Sequence, residues 1–448
     1  MGVGFTEEHG WGATVNKPDL VDIYVLEMNP DNPNQYRLDG AWRDLEVGEV
    51  KLKLKLWGFI PWSVKREVLR SMHGPALRTK HGVYAIRYAG IDEMKQVEQW
   101  LAMNKAKNFE EWRAAVALNH IQSFNFVYAN RHGDIHFIHN AQLPVRAPDW
   151  NWQQYLPGDR SDLIWQRYHP TSVLPQVTNP GSGFVHSANQ TPFNITEPQD
   201  NPQPNAVPAD GGWQTRMTNR ATRGLELFAD FEQISFDEAW ELKHDNNYSA
   251  NYRGIAFLSE VIALPRESDT VSRAIDILER WNLGTDKENR GAALGVCVLA
   301  AEWQAESSST SNPDAQAILD DCIDQTLEIG GRLDPRWGDV NRHGRDGTHW
   351  PVAGGPDTLR AIYSRRLDGD DHLTAVAGDG LYYFIRWMPD GEQKVLGTHQ
   401  YGNDMTNPSS PHYLDQAEDY TNEILHEPLF TADSRRGRIT KQYTVRSD

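Results

Sequence analysis

The 448-residue sequence contains only two cysteines, Cys297 and Cys322, so no disulfide framework holds it together. Both lie on neighbouring segments that read as helical, and one disulfide or two buried thiols would each satisfy the pattern. Apolar runs stop well short of eighteen residues, which excludes a membrane-spanning helix. Positive charge is also short: 44 Lys and Arg face 62 Asp and Glu, a formal net charge of -18. With no basic stripe to offset it, that charge repels phosphate backbones, and nucleic acid is not an expected partner. The opening MGVGFTEEHG has neither a basic start nor an apolar segment, so no signal peptide is expected in these residues.

Self-contained catalytic motifs are missing too. There is no G-x-S-x-G elbow, P-loop, HExxH or GxGxxG. The histidines are scattered, and His132, His136 and His139 have the spacing of strands, so zinc is not expected there.

What is present is a globular composition, 39% apolar and 24% charged, with sixteen Trp. Exposed Trp could stack on sugars, but a large core is the expected place for most of them. From Leu20 to about Phe193 the chain reads as strands: DLVDIYVLE, VKLKLKLW with one wet face, GVYAIRY, and the pair FNFVYANRHGDIHFIH turning at His132-Gly133. Asn108, with Glu111 three residues on, starts a helix over NFEEWRAAVALNH. Residues 199–212 are rich in Pro, Asn, Asp and Gly and read as a surface loop. Helices follow, with a capping box at Ser235 and Glu238, and strands return from about Arg336.

Two stretches invite chemistry. Asp19 and Asp22, with the Val21 carbonyl between them, could begin a calcium shell or merely open a strand. PGSGFVHSANQTPF leads through a short strand to Asn189, whose neutral amide could serve as an oxyanion donor or as a turn residue.

In order, WGATVNKPDLVDIY, YRLDGAW, HGP at His73, NFEEW, FNFVYANRHGDIHF, LPVR, LPQVTNPGSGFVHSANQTPF, GGPDTLR and SSPHYLDQ resemble the penicillin acylase family of N-terminal nucleophile hydrolases, specifically its large β-chain. The resemblance implies an α+β fold: an αββα sandwich of stacked antiparallel sheets with a helical insertion. Residues 1–198 would form the first part of the core, 199–335 the loop and helical excursion, and 336–448 the return to the sheets.

It also implies hydrolysis of N-acyl amides such as β-lactam side chains or acyl-homoserine lactones. In that family an N-terminal Ser attacks, with its own α-amine as base. By the matched motifs, Val15 supplies a backbone oxyanion donor, Asn189 the side-chain donor, and Arg220 the arginine near the α-amine and that Asn. Asp19, Val21 and Asp22 match a structural calcium shell, with Asp200 a looser further ligand. No organic cofactor is implied. The Ser, the first strands and the small α-chain would lie upstream of GWGAT, leaving this stretch inactive alone, and the family's periplasmic or extracellular setting would follow. SANQTPF is more similar to the branch that takes aliphatic acyl groups. A non-catalytic acyl- or sugar-binding protein on the same fold, or a gene fragment without its own function, are the alternatives.

Overall fold

Alternation along Ser123–Asn130 sends Phe124, Phe126 and Tyr128 to one face and Asn125 and Val127 to the other. The aromatic face packs under two helices, Gln96–Lys105 and Phe109–Val116, in a core with Trp11, Met103, Phe109, Trp112 and Ile138. Asn108 caps the second helix as expected, its side chain accepting from the Glu111 N–H at 2.9 Å.

The protein is described here by a computed structural model covering residues 2–91, 93–229, 231–307, 313–430, 432–439 and 444. It divides into two compact units, Met1–Arg216 and Met217–Asp448. In the first, a five-stranded sheet runs in the order Gly4–Phe5, His9–Thr14, Ser123–Asn130, Ile135–Ala141, Gln176–Thr178. Its central hairpin turns with Gly133 at φ 93°, a left-handed position that glycine adopts without strain.

The six-stranded sheet of the same unit runs Leu156–Pro157, Val21–Leu26, Gly82–Tyr88, Gly74–Thr79, Ile60–Ser71, Glu46–Leu56. Its core holds Tyr24, Leu26, Tyr36, Leu69, Val83 and Trp165. Pairing is antiparallel except where Leu156–Pro157 joins Val21–Leu26. The expected single wet face of VKLKLKLW does not hold. Glu46–Leu56 is the edge strand and runs beyond the core, so Leu52, Leu54 and Leu56 are exposed along with its lysines.

In the second unit, helices Gly254–Ile262, Asp269–Arg280, Ala292–Ser307 and Ala315–Gly330 gather around Val261, Ile275, Leu294, Val298 and Leu319. The capping box at Ser235 and Glu238 is formed. Cys297 and Cys322 form a disulfide across two of these helices. Reduction should cost the unit about 3 kcal/mol, because the bond constrains a loop of this length in the unfolded chain. Thermal melts with and without a phosphine reductant measure the loss. A mostly antiparallel four-stranded sheet, Thr348–Pro351, Asn341–Arg345, Leu373–Gly378, Ile362–Arg366, follows, with one parallel pairing.

Burial explains how the fold meets acid. His73, His136, His244 and His343 are each pushed down to about 4 and His139 to about 3, in every case first by desolvation. Their ordinary value is near 6.5, so below that the unfolded chain binds protons that the native one does not. Each adds full stability above pH 6.5 and loses about 1.4 kcal/mol per pH unit as pH falls from there toward 4. Urea midpoints should therefore drop steeply between pH 6.5 and 4.5, and His139→Gln should flatten the slope in the first unit.

Candidate functional site

Strand His9–Thr14 turns Trp11 and Ala13 toward the helices, which leaves Gly10, Gly12 and Thr14 on the opposite face. Register sets Thr14 opposite Asn125 and Asn125 opposite His139, a polar row across three strands. The Asn125 amide donates to Thr14 Oγ1 at 3.2 Å, and Thr14 Oγ1 lies 2.7 Å from Ser187 Oγ. Asn125 Oδ1 and both ring nitrogens of His139 are buried without a hydrogen-bond partner among the described residues. Desolvation keeps that imidazole neutral.

Val15 follows directly and is exposed. The structure brings Asn189 to it: Asn189 Nδ2 donates to the Val15 carbonyl at 2.8 Å. The short strand expected before Asn189 is not formed. Instead residues 181–190 are irregular, with turns and bends at 181–183 and 188–189, and Asn189 sits at φ 65°, a left-handed conformation that asparagine tolerates but a strand does not.

Side chains take over the bonding that a strand partner would supply. Gln190, 1% exposed, accepts from the Ala188 N–H at 2.6 Å and donates to His186 O and Asn194 O. Gln214 donates to the carbonyls of Asn189 at 3.0 Å and Gln190 at 2.7 Å. The loop bearing the Asn189 amide is thereby held from both sides.

Arg220 belongs to the second unit, as the second residue of helix Asn219–Ala229, which Thr218 Oγ1 caps by accepting from Ala221 N–H at 3.1 Å. Its Nε donates to Asp357 Oδ1 at 3.0 Å. Asp357 in turn accepts from the Asn219 N–H at 2.6 Å and, through its carbonyl, from the Asn219 amide at 2.8 Å. Burial works against the guanidinium's charge, but the neighbouring Asp357 carboxylate, with other groups around it, outweighs this and raises the Arg220 pKa. Asp357 lies in GGPDTLR, one of the motifs that carry the family resemblance.

The calcium expectation does not fit the residues as arranged. Asp19 and Asp22 do converge, but on the guanidinium of Arg146, whose Nε and Nη2 lie 3.1 and 3.2 Å from the two Asp22 oxygens. Nη2 also reaches Asp19 O at 3.1 Å and Asp19 Oδ1 at 3.2 Å, and Nη1 reaches Asp210 O at 2.9 Å. Burial pushes the Asp22 carboxyl up, while Arg146 and the Trp165 indole, 2.7 Å from Oδ2, pull it back. Val21 opens its strand opposite Tyr88. Asp200 is engaged elsewhere, its Oδ2 accepting from the Ser182 N–H at 2.9 Å. Among the described residues no three His, Cys, Asp or Glu are placed to hold a metal ion.

A family model for penicillin amidases matches residues 1–437. The chain belongs to the penicillin amidase family. Penicillin G acylase of Escherichia coli is 25% identical over 61% of the chain and 31% of its own length. Acyl-homoserine lactone acylase PvdQ of Pseudomonas fluorescens strain Pf0-1 is 21% identical over the whole chain and 64% of its own length. The chain thus spans less than two thirds of either relative. The solved penicillin G acylase of Alcaligenes faecalis superposes with a TM-score of 0.65 at 18% identity, covering all of this chain and 89% of that one. This member of the penicillin amidase family therefore has the N-terminal nucleophile hydrolase fold, α+β in class, with several largely antiparallel sheets.

Proposed function

We propose that this chain is the larger part of an amide hydrolase whose nucleophilic Ser lies on a segment upstream, with a small companion chain. The observation that supports it is the pairing of Val15 with Asn189: a side-chain amide is fixed by a 2.8 Å bond to the peptide carbonyl of the residue assigned as backbone donor. Such a pair is aimed before substrate arrives, so it costs no reorganisation when charge develops.

In the proposed reaction the upstream Ser Oγ attacks the scissile carbonyl carbon and its α-amine takes the hydroxyl proton. The Val15 N–H and Asn189 Nδ2 hold the oxyanion. Collapse expels the amine, which receives that proton, and water then cleaves the acyl ester by the same steps. Arg220, oriented by Asp357, is assigned to the α-amine as a positioning cation. The unpartnered buried atoms of Asn125 and His139 are groups that further chain or water on this face would satisfy.

The substrate class we assign is an aliphatic N-acyl amine, a reading supported by the likeness of SANQTPF to the branch that takes aliphatic acyl groups. The disulfide supports an oxidising, extracytoplasmic setting. No helix among the described residues is long and apolar enough to cross a membrane. Amine release from decanoyl and phenylacetyl amides, with the upstream segment co-expressed, tests the reading. Faster release from the decanoyl amide is expected; hydrolysis of neither would end it.

A further inference from the structure

We infer that Arg146 is a built-in cation that replaces calcium in this chain. Structural calcium ties distant segments together by gathering oxygens, and here one guanidinium does so. It joins the strand entry at Asp19 and Asp22, the loop at Asp210, and its own segment after Leu143. The Arg146 and Asp22 side chains are both 0% exposed, and Asp19 retains 23%.

The fit is that of a planar fork. Nε and Nη2 take the two Asp22 oxygens side by side, the bidentate geometry in which arginine surpasses a point charge. The remaining donors go to the Asp19 and Asp210 carbonyls and to Asp19 Oδ1. Trp152 lies against the guanidinium, its ring centre 5.4 Å from Cζ. The loop is fitted closely on the other side as well. The Asp19 N–H donates to Gly211 O at 2.9 Å, and Gly212, at φ 59°, approaches so near that a Cβ there would lie 2.4 Å from Asp19 Cβ.

Calcium needs six to eight oxygens at about 2.3–2.6 Å. At this site the oxygens already face nitrogen at 2.9–3.2 Å, and a divalent ion among them would sit against a fixed positive charge. The shallow cavity beside Asp19 and Val21 offers no substitute. Its lining, which includes Lys17, Trp152 and Tyr155, contains a single carboxylate, that of Asp19.

The test uses the full chain with two probes, calcium chloride and terbium. Trp165 donates to Asp22 directly and Trp152 lies against Arg146, so terbium bound here would give Trp-sensitised emission. For the unaltered chain the expected result is a melting temperature insensitive to chelator or millimolar calcium, and no terbium emission that calcium displaces. Arg146→Met leaves two carboxylates unpaired, and it should melt lower and recover several degrees with calcium. Should that variant not fold, Asp22→Asn with Arg146→Met removes one unpaired charge and should restore folding without calcium. Calcium-displaceable terbium emission from the unaltered chain that disappears in Asp22→Asn would overturn the inference, as would a melting temperature raised by calcium in the unaltered chain and not in Asp22→Asn.

Discussion

Asn189→Asp in the assembled enzyme should lower kcat by about 10²- to 10³-fold while leaving the melting temperature close to that of the parent. Aspartate has the shape of asparagine and tolerates the left-handed φ of 65° that Asn189 adopts, so the loop held by Gln190 and Gln214 survives. What goes is the donor. A carboxylate cannot hydrogen-bond an oxyanion and repels it, and the bond to the Val15 carbonyl is lost as well. Asn189→Gly separates the two effects, since glycine keeps the backbone and removes the group without adding charge. It should lose activity to a similar order. Single-turnover measurement of acylation is the appropriate readout, because the oxyanion forms in that step. Full activity in Asn189→Asp would exclude this amide from the oxyanion site.

The second large effect concerns Asp357. Asp357→Ala removes one partner of a partly buried guanidinium and an acceptor for the start of its helix, and should cost about 1–3 kcal/mol in denaturant melts. Asp357→Asn keeps an acceptor for the Asn219 N–H and removes only charge, so it isolates the electrostatic role. If Arg220 lies beside the nucleophile's α-amine, its positive charge disfavours the ammonium form and holds the amine pKa down. Arg220→Gln should then move the acid limb of kcat/KM to higher pH, by on the order of one unit. Asp357→Asn leaves the arginine less compensated and should move it lower. A purely structural role for the pair would change stability in both variants and shift neither limb.

The regular elements were legible in the sequence wherever one local rule decided them. The Asn108 and Ser235 caps, the hairpin at Gly133 and the buried Ala274, Ile275 and Leu278 face of helix Asp269–Arg280 each depend on residues a few positions apart. The pairing of Val15 with Asn189 could be named only through the family resemblance, because the two are far apart in sequence and met by tertiary packing. The side chains around them had no local signature. Gln214 and Asp357 work across 24 and 137 positions, on Gln190 and Arg220 respectively. In the sequence Arg146 is only the last residue of LPVR, although it binds Asp19 and Asp22 from 124 positions away from Asp22. The strand expected before Asn189 failed for a related reason. A Gly-flanked turn leading into a short strand was the expectation, but a left-handed residue and a glutamine bonding back to the main chain hold a loop instead.

We propose, then, that the oxyanion donors lie in this chain and the attacking group on a segment upstream of it. Intact mass and N-terminal sequencing of the active enzyme from its natural source test this most directly. The expected result is a large chain that begins with Ser ahead of residue 1 and contains these residues, accompanied by a smaller chain. An active enzyme consisting of a single species that begins at Met1 or Gly2 would contradict it.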